Sequence, residues 1–174
     1  TNIKNIDIDL KTYFKIIEGK TAILFSAACE TGAMLATNNV EHIKCFKEYG
    51  KAFGISFQLI DDYLDYKGDT KLMGKDIGND FYNSKLTFPI ILTLSKATDL
   101  DCVNIKNLFK KPNKSKNDFH TLLNILNKYS SLESTKNEAI KWSEIAKKSL
   151  ISIPNNKLKR LLGEICDNII LRKL

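Results

Sequence analysis

Several residue types are scarce in this 174-residue sequence, and each scarcity argues against a class of protein or site. The sequence has two histidines and four cysteines, and the cysteines show neither CxxC spacing nor a neighbouring histidine cluster. A zinc site or a disulfide framework is therefore not indicated, and reduced cysteines in a cytoplasmic protein are expected. No apolar run approaches the roughly 20 residues that a membrane-spanning helix needs, so we predict no transmembrane segment.

Nucleotide and nucleic-acid motifs are missing as well. The chain contains neither the GxxxxGK[ST] order of a Walker loop nor a GxGxxG, so a nucleotide-binding fold is not indicated. The net charge is +7, but the lysines are scattered through amphipathic segments and form no dense basic run. We expect no nucleic-acid partner and interpret the charge mainly as a solvated surface.

Helical periodicity is what the sequence does have. Hydrophobic residues make up 43% of the chain, prolines number only three, and alternation at period two is scarce, so an all-α fold in a single domain is predicted. The expected helices span residues 9–36, 40–67, 79–98, 116–129, 132–151 and 155–172. The expected N-terminal caps are Asp9, Ser131 and Asn155, together with a capping box formed by Ser115 and Asp118.

The most informative segment, residues 57–66, places three aspartates inside an apolar helix. These are Asp61, Asp62 and Asp65, and Gln58 precedes them on the same sector of the helix. Carboxylates at i, i+3 and i+4 repel one another, so a cation is expected beside them. Oxygen ligands on a rigid helix favour a hard cation such as Mg²⁺, which proteins bind through one or two carboxylates and substrate phosphates. A solvated acidic turn without a ligand is the alternative.

Two glycines, Gly50 and Gly54, lie upstream on roughly the same sector of that helix. Each glycine costs a helix interior about 1 kcal/mol relative to alanine. We therefore expect that space is needed beside them, either for a neighbouring helix or for a ligand.

A second charged segment spans residues 74–89. Gly74 and Gly78 flank Lys75, and Lys85 follows later in the segment. Glycine allows backbone angles that let a loop close around an anion, and lysine is a compact charge that suits phosphate oxygens. The segment is therefore a candidate phosphate-binding region.

A third element interrupts the first predicted helix at Gly19, Lys20 and Thr21. A lysine and a threonine among residues that otherwise look like core need a polar partner, because a buried unpaired charge is costly. A diphosphate would satisfy both side chains. Taken alone, Lys20 also fits an exposed lysine whose stem covers apolar surface.

Together these segments resemble the trans-prenyl diphosphate synthases of the polyprenyl synthetase family. The family's KT pair is matched by Lys20 and Thr21. Its GxxFQxxDDxxD motif is matched by Gly54, Phe57, Gln58, Asp61, Asp62 and Asp65. Its GKxxGxDxxxxKxTxP segment is matched by Gly74, Lys75, Gly78, Asp80, Lys85, Thr87 and Pro89. One departure is Ser84, which stands where the family often has glycine. The amino-acid sequence of the last motif is most similar to that of bacterial long-chain enzymes such as octaprenyl and decaprenyl diphosphate synthases.

The resemblance implies an isoprenoid synthase-type helical bundle with prenyltransferase activity. In the family, Mg²⁺ ions help an allylic prenyl diphosphate to ionise, and isopentenyl diphosphate attacks the resulting cation. The residues implied to bind Mg²⁺ are Asp61, Asp62 and Asp65, with Asp61 as the expected direct ligand. The residues implied to bind the diphosphate are Lys20, Lys75 and Lys85, and Thr21 and Gln58 are implied to line the site near the allylic cation. The implied catalytic residues are Lys20, Thr21 and Gln58.

The resemblance covers only the C-terminal half of such an enzyme. The family also carries a first aspartate-rich motif followed by arginines, whereas this chain has no second DDxxD, and its two arginines, Arg160 and Arg172, lie near the C-terminus. Family members are also longer, and this chain starts with Thr1. We therefore expect residues 1–174 to be the C-terminal part of a polyprenyl synthetase domain, inactive alone. Its expected partner is the missing N-terminal half or a homologous subunit, and the complete enzyme is expected to be a homodimer.

Two other function classes stay open. A non-catalytic subunit of a complete prenyl synthase would explain the missing groups, although the intact aspartates and lysines argue against it. A terpene cyclase would share the helical fold and the Mg²⁺-diphosphate chemistry, but cyclases usually carry an NSE-type second motif. Among the synthases, a role in quinone side-chain synthesis is expected, and product length is not predicted because the first aspartate-rich motif is absent.

Overall fold

The computed structural model describes residues 8–67 and 77–172, and every regular element among them is helical. The helices in chain order are α1 (Leu10–Ile17), a π turn (Glu18–Ala22), α2 (Ile23–Ala36), α3 (Val40–Lys67), α4 (Asn79–Tyr82), α5 (Phe88–Leu94), α6 (Asp99–Lys110), α7 (Lys116–Lys128), α8 (Ser131–Ser149) and α9 (Lys157–Leu171). The all-α prediction is confirmed. Within these two ranges, no helix is long and apolar enough to cross a membrane.

The first predicted helix, 9–36, is present, but a π turn interrupts it between α1 and α2. The π turn contains Gly19, Lys20 and Thr21, the three residues that break the apolar pattern in the sequence. Single π turns inside α-helices are found frequently at functional sites. The local sequence break therefore corresponds to a change in helical repeat, and the chain continues as a helix on both sides of it.

The predicted helix 40–67 is confirmed as α3, and its glycines serve helix packing. A Cβ atom on Gly54 would lie 2.6 Å from the Cα atom of Ala22, and one on Gly50 would overlap the carbonyl oxygen of Phe25. Real Cβ atoms do not approach other atoms this closely. The space predicted at these glycines is therefore filled by the backbone of the π turn and α2.

The prediction of one helix over residues 79–98 is wrong. Two short helices, α4 and α5, occupy this range, and sequence reasoning missed α6 altogether. Ser84 adopts a φ of 54°, in the left-handed region, where a right-handed helix cannot continue. Pro89 lies in the first turn of α5, which proline favours because the backbone N–H groups there have no partner within the helix. Thr98 then caps α6.

The predicted caps of the later helices are confirmed in one case and corrected in two. Ser115 and Asp118 form the expected capping box, in which each side chain accepts a hydrogen bond from the other residue's backbone N–H. Ser131 is the first residue of α8 rather than its cap, and its side chain is buried. Asn156 caps α9, and Asn155 does not.

The capping box predicts sensitivity to acid. Hydrogen bonds from Lys111 and Ser115 lower the pKa of Asp118 to about 2. A carboxyl group whose pKa is lowered by folding stabilises the protein above its unfolded pKa of about 4, and this contribution is lost as the pH falls toward the folded value. We expect Asp118→Asn to be less stable than the unaltered chain at neutral pH, and the difference to shrink in acid. Chemical denaturation at several pH values measures it, and a difference independent of pH would contradict the expectation.

The chain divides into two compact units. Among the described residues, the first comprises 8–13, 61–67 and 77–135, and the second comprises Phe14–Ile60 and Lys136–Arg172. The core of the first unit contains Tyr66, Phe81, Ile90, Ile105, Leu108, Phe109, Leu122, Ile125, Leu126 and Leu132. The core of the second unit contains Cys45, Tyr49, Ala52, Phe53, Ala146, Leu150, Ile153, Cys166 and Ile169.

Candidate functional site

The three aspartates of the acidic motif lie in the last turns of α3, within the first unit. They have different surroundings: Asp61 is exposed, Asp65 is partly buried, and Asp62 retains only 1% of its accessible surface. The single acidic sector inferred from helical spacing is thus divided into three environments. Such a division favours different roles for the three carboxylates.

Asp62 is held by two hydrogen bonds to one of its carboxylate oxygens. The Tyr13 hydroxyl donates to Asp62 Oδ2 at 2.6 Å, and the backbone N–H of Phe88 donates to the same atom at 3.0 Å. Burial raises the pKa of Tyr13, and the Asp62 carboxylate raises it further, so the phenol remains a hydrogen-bond donor. Sequence reasoning missed Tyr13, although a tyrosine on the apolar face of a helix usually needs a partner for its hydroxyl group.

Asp65 binds the start of the following segment. Its Oδ2 atom accepts a hydrogen bond from the backbone N–H of Asp80 at 3.0 Å, and its carbonyl oxygen accepts one from Gly78 at 2.8 Å. Burial raises the pKa of Asp65 to about 6, while the Asp80 N–H and the Lys85 ammonium act to lower it. Gly78 is required here because its φ is 85° and a Cβ atom would lie 2.6 Å from the Phe119 ring.

Lys85 lies beside these carboxylates in the first unit. Its Nζ atom is 2.9 Å from Asp80 Oδ1 and 3.0 Å from Oδ2, and its side chain is 44% exposed. Partial loss of hydration acts to lower the pKa of Lys85, but Asp62, Asp80 and Asp61 outweigh it and raise the pKa overall. Lys85 is therefore a half-exposed cation at the edge of an acidic region. Lys75, the other predicted lysine of this segment, lies outside the described residues.

The backbone angle and hydrogen bonds of Ser84 account for a serine where the family often has glycine. Its φ of 54° lies in the region that glycine adopts most easily. The serine hydroxyl donates to the carbonyl oxygen of Phe109 at 3.1 Å and accepts from Lys114 Nζ at 2.6 Å. These bonds offset a backbone cost of about 1–2 kcal/mol for a residue that has a Cβ atom.

The remaining predicted residues belong to the second unit. The Thr21 hydroxyl in the π turn donates to Gln58 Oε1 on α3 at 3.0 Å, so the structure brings these two residues together. Lys20 is exposed in the same turn. Glu18, at the start of the turn, forms an ion pair with Lys51 of α3 at 2.6 Å. The π turn is thus joined to α3 on both sides of Lys20.

The carboxylates fit a magnesium site in which the protein supplies only some of the ligands. In the part of the chain that the structure describes, no three His, Cys, Asp or Glu side chains are close enough together to enclose a metal ion. Asp61 and Asp65 can each offer carboxylate oxygen to a hard cation, whereas Asp62 Oδ2 already accepts two hydrogen bonds. Mg²⁺ keeps several waters and is commonly held by one or two carboxylates together with substrate phosphates. This donor set fits that arrangement.

Sequence comparisons identify relatives along most of the chain. The sequence model described as "Polyprenyl synthetase" matches residues 1–126, a range that includes all three motifs. A geranylgeranyl diphosphate synthase of Saccharolobus solfataricus is 35% identical over 149 residues, which are 86% of this chain and 45% of that protein. An octaprenyl diphosphate synthase of Escherichia coli is 31% identical over 161 residues, or 92% and 50% of the two chains. The chain spans about half the length of the curated relatives it matches.

Solved structures give the same result for the fold. A decaprenyl diphosphate synthase from Rhodobacter capsulatus matches with a TM-score of 0.89 and 33% identity, covering 98% of this chain and 52% of that one. A polyprenyl synthase from Caulobacter crescentus CB15, solved with calcium and isoprenyl diphosphate, matches with a TM-score of 0.92 and 29% identity, covering 100% and 53%. With the family match over residues 1–126, these findings identify this chain as a member of the polyprenyl synthetase family, the trans-prenyl diphosphate synthases.

Proposed function

We propose that this chain is the C-terminal portion of a trans-polyprenyl diphosphate synthase and carries one of its magnesium- and diphosphate-binding regions. The observation that supports the proposal most directly is the placement of Lys85 beside the acidic end of α3, where Asp61 is exposed. A half-exposed ammonium group and an exposed carboxylate in the same acidic region suit a magnesium diphosphate better than either ion alone.

Bound magnesium would neutralise the charge that develops on the leaving diphosphate. Asp61 is the proposed direct ligand and Asp65 a second carboxylate for the cation. For Asp62, predicted from the resemblance to bind magnesium as well, we propose an anchoring role, because its Oδ2 atom already accepts two hydrogen bonds. Lys85 would exchange its Asp80 partner for a diphosphate oxygen when the substrate binds. Fixed charges of this kind stabilise a departing anion most strongly where water is excluded.

Lys20, Lys75, Thr21 and Gln58 are proposed to act as the family resemblance implies. By the resemblance, Lys20 and Lys75 are each proposed to bind allylic diphosphate oxygens, and Thr21 and Gln58 to lie near the allylic cation. The hydrogen bond from the Thr21 hydroxyl to Gln58 Oε1 orients the Gln58 side-chain amide.

Condensation of an allylic diphosphate with isopentenyl diphosphate needs groups that this sequence does not contain. It has no second DDxxD motif and only two arginines. We therefore propose that this chain does not catalyse the condensation alone and that the other groups come from an N-terminal half or a homologous subunit. A homodimer, a cytoplasmic location and a role in quinone side-chain synthesis complete the proposal.

Replacing Lys85 by alanine tests the diphosphate assignment. We expect the dissociation constant of inorganic diphosphate, measured by titration calorimetry with the full chain, to rise by the equivalent of about 1.5–3 kcal/mol, as for a hydrogen bond to a charged group. Lys96→Ala, an exposed lysine of the same unit, is the matched control and should leave the constant unchanged. Equal affinity in the Lys85→Ala and Lys96→Ala variants would contradict the assignment.

A further inference from the structure

We infer that Tyr13 is a positioning residue for the magnesium site and acts through Asp62. The inference rests on the proposed function, since it concerns the same acidic end of α3. Tyr13, Asp62 and Phe88 all belong to the first unit and come from three different helices, α1, α3 and α5. Their contacts concentrate on one oxygen atom of the Asp62 carboxylate.

Asp62 is a buried polar side chain that needs hydrogen-bond donors. Only 1% of its surface is accessible, and burial of an unpaired charge is strongly unfavourable. The Tyr13 hydroxyl donates at 2.6 Å, within the range for a hydroxyl group bonded to a carboxylate oxygen, and the Phe88 N–H at 3.0 Å adds a second donor. The side chain of Asp62 is therefore fixed by groups outside its own helix.

The two donors are also packed against each other. The rings of Tyr13 and Phe88 meet edge to face, with their centroids 5.4 Å apart. Tyr13 is 5% exposed and Phe88 is 4% exposed. A carboxylate held between two packed donors cannot rotate without breaking one of the hydrogen bonds.

This arrangement links the proposed metal ligand to the proposed diphosphate lysine. Asp61 is the neighbour of Asp62 on α3, and Lys85 precedes Phe88 by three residues in the segment that leads into α5. The hydrogen bonds to Asp62 therefore fix the end of α3 relative to the start of α5. Loss of the Tyr13 hydroxyl would therefore leave Asp61 and Lys85 less well aligned for a shared ligand.

Tyr13→Phe tests the inference because it removes the hydroxyl and keeps the ring. The quantity to measure is the magnesium enhancement, defined as the affinity of the full chain for inorganic diphosphate with Mg²⁺ divided by the affinity without it. Removing a residue that hydrogen-bonds to a metal ligand lowers metal affinity by about 10–100-fold. Because Tyr13 reaches the proposed ligands only through Asp62, we expect the enhancement to fall by about 10-fold, the lower end of that range. Affinity without Mg²⁺ should change little.

Tyr129→Phe is the matched control. The Tyr129 hydroxyl also donates to an aspartate of the first unit, Asp101, at 2.7 Å, and neither residue belongs to the acidic motif. Both variants should lose stability in chemical denaturation, but only Tyr13→Phe should lose the magnesium enhancement. An equal effect of the two variants on the enhancement, or no effect of either, would overturn the inference.

Asp62→Asn is a second variant, because the amide keeps the shape of the side chain and removes the carboxylate through which Tyr13 acts. The double variant Tyr13→Phe with Asp62→Asn should lose no more of the enhancement than Asp62→Asn alone, and fully additive losses would overturn the inference. If Tyr13→Phe does not fold, full enhancement in a folded Asp62→Asn variant has the same consequence. Absence of any magnesium enhancement in the unaltered chain would instead overturn the proposed function, and the inference with it.

Discussion

Asp61→Ala is expected to abolish the magnesium-dependent part of diphosphate binding while leaving the helical content of the chain unchanged. Asp61 is exposed at the end of α3 and contributes nothing to either hydrophobic core. Loss of a group that only orients a metal ligand costs about 10–100-fold in affinity, so loss of a direct ligand should cost more than this. In a complete enzyme, turnover should fall by orders of magnitude.

Titration calorimetry with inorganic diphosphate, with and without Mg²⁺, measures the effect, and circular dichroism checks the fold. Asp99→Ala removes the same charge from an exposed position of the first unit and serves as the control. A small loss in Asp61→Ala, comparable to that in Asp99→Ala, would mean that Asp61 does not bind the cation. The metal assignment of the whole acidic motif would then fail.

Gly50→Ala is expected to have the largest effect on stability. A Cβ atom at Gly50 would overlap the carbonyl oxygen of Phe25 and lie 2.9 Å from the Cα atom of Ser26. These are backbone atoms, so no side-chain rotation relieves the contact and the two helices must separate. Overpacking of this kind costs about 1–3 kcal/mol, and we expect a loss of about 2 kcal/mol in the free energy of unfolding.

Gly163→Ala is the matched control in the same unit. Gly163 lies within α9, and apart from its chain neighbours and the backbone of its own helix no atom would lie within 4 Å of an added Cβ. Alanine in a helix interior is about 1 kcal/mol more favourable than glycine, so this variant should be more stable than the unaltered chain. Denaturation by urea measures both variants. A gain in stability from Gly50→Ala would show that α2 and α3 are not packed backbone to backbone.

The long helices and one capping box could be predicted from the sequence because their causes are local. Apolar residues at helical spacing predict α3 at residues 40–67, and the order of Ser115 and Asp118 predicts the start of α7. The wrong prediction of a single helix over residues 79–98 has a local cause as well. A serine with a positive φ looks like any helical serine in the sequence, so the break at Ser84 carries no signal without related sequences.

The candidate site was predictable in its residue types and not in its arrangement. The family resemblance predicts that Asp61, Asp62 and Asp65 bind magnesium, with Asp61 as the direct ligand, and these roles stay predictions. The different burial of these aspartates depends on Tyr13, 49 residues away along the chain, and on the backbone of Phe88. Contacts over such separations leave no pattern in local spacing.

The sequence by itself determined the helical class, the family and the set of charged residues, because periodicity and motif order are properties of neighbouring positions. Only the tertiary structure decided how these residues are used. It buries Asp62 against Tyr13, exposes Asp61, and holds Lys85 beside Asp80. The physical reason is that burial and hydrogen bonding depend on which helices pack together, and that packing decides which carboxylate remains accessible to a cation.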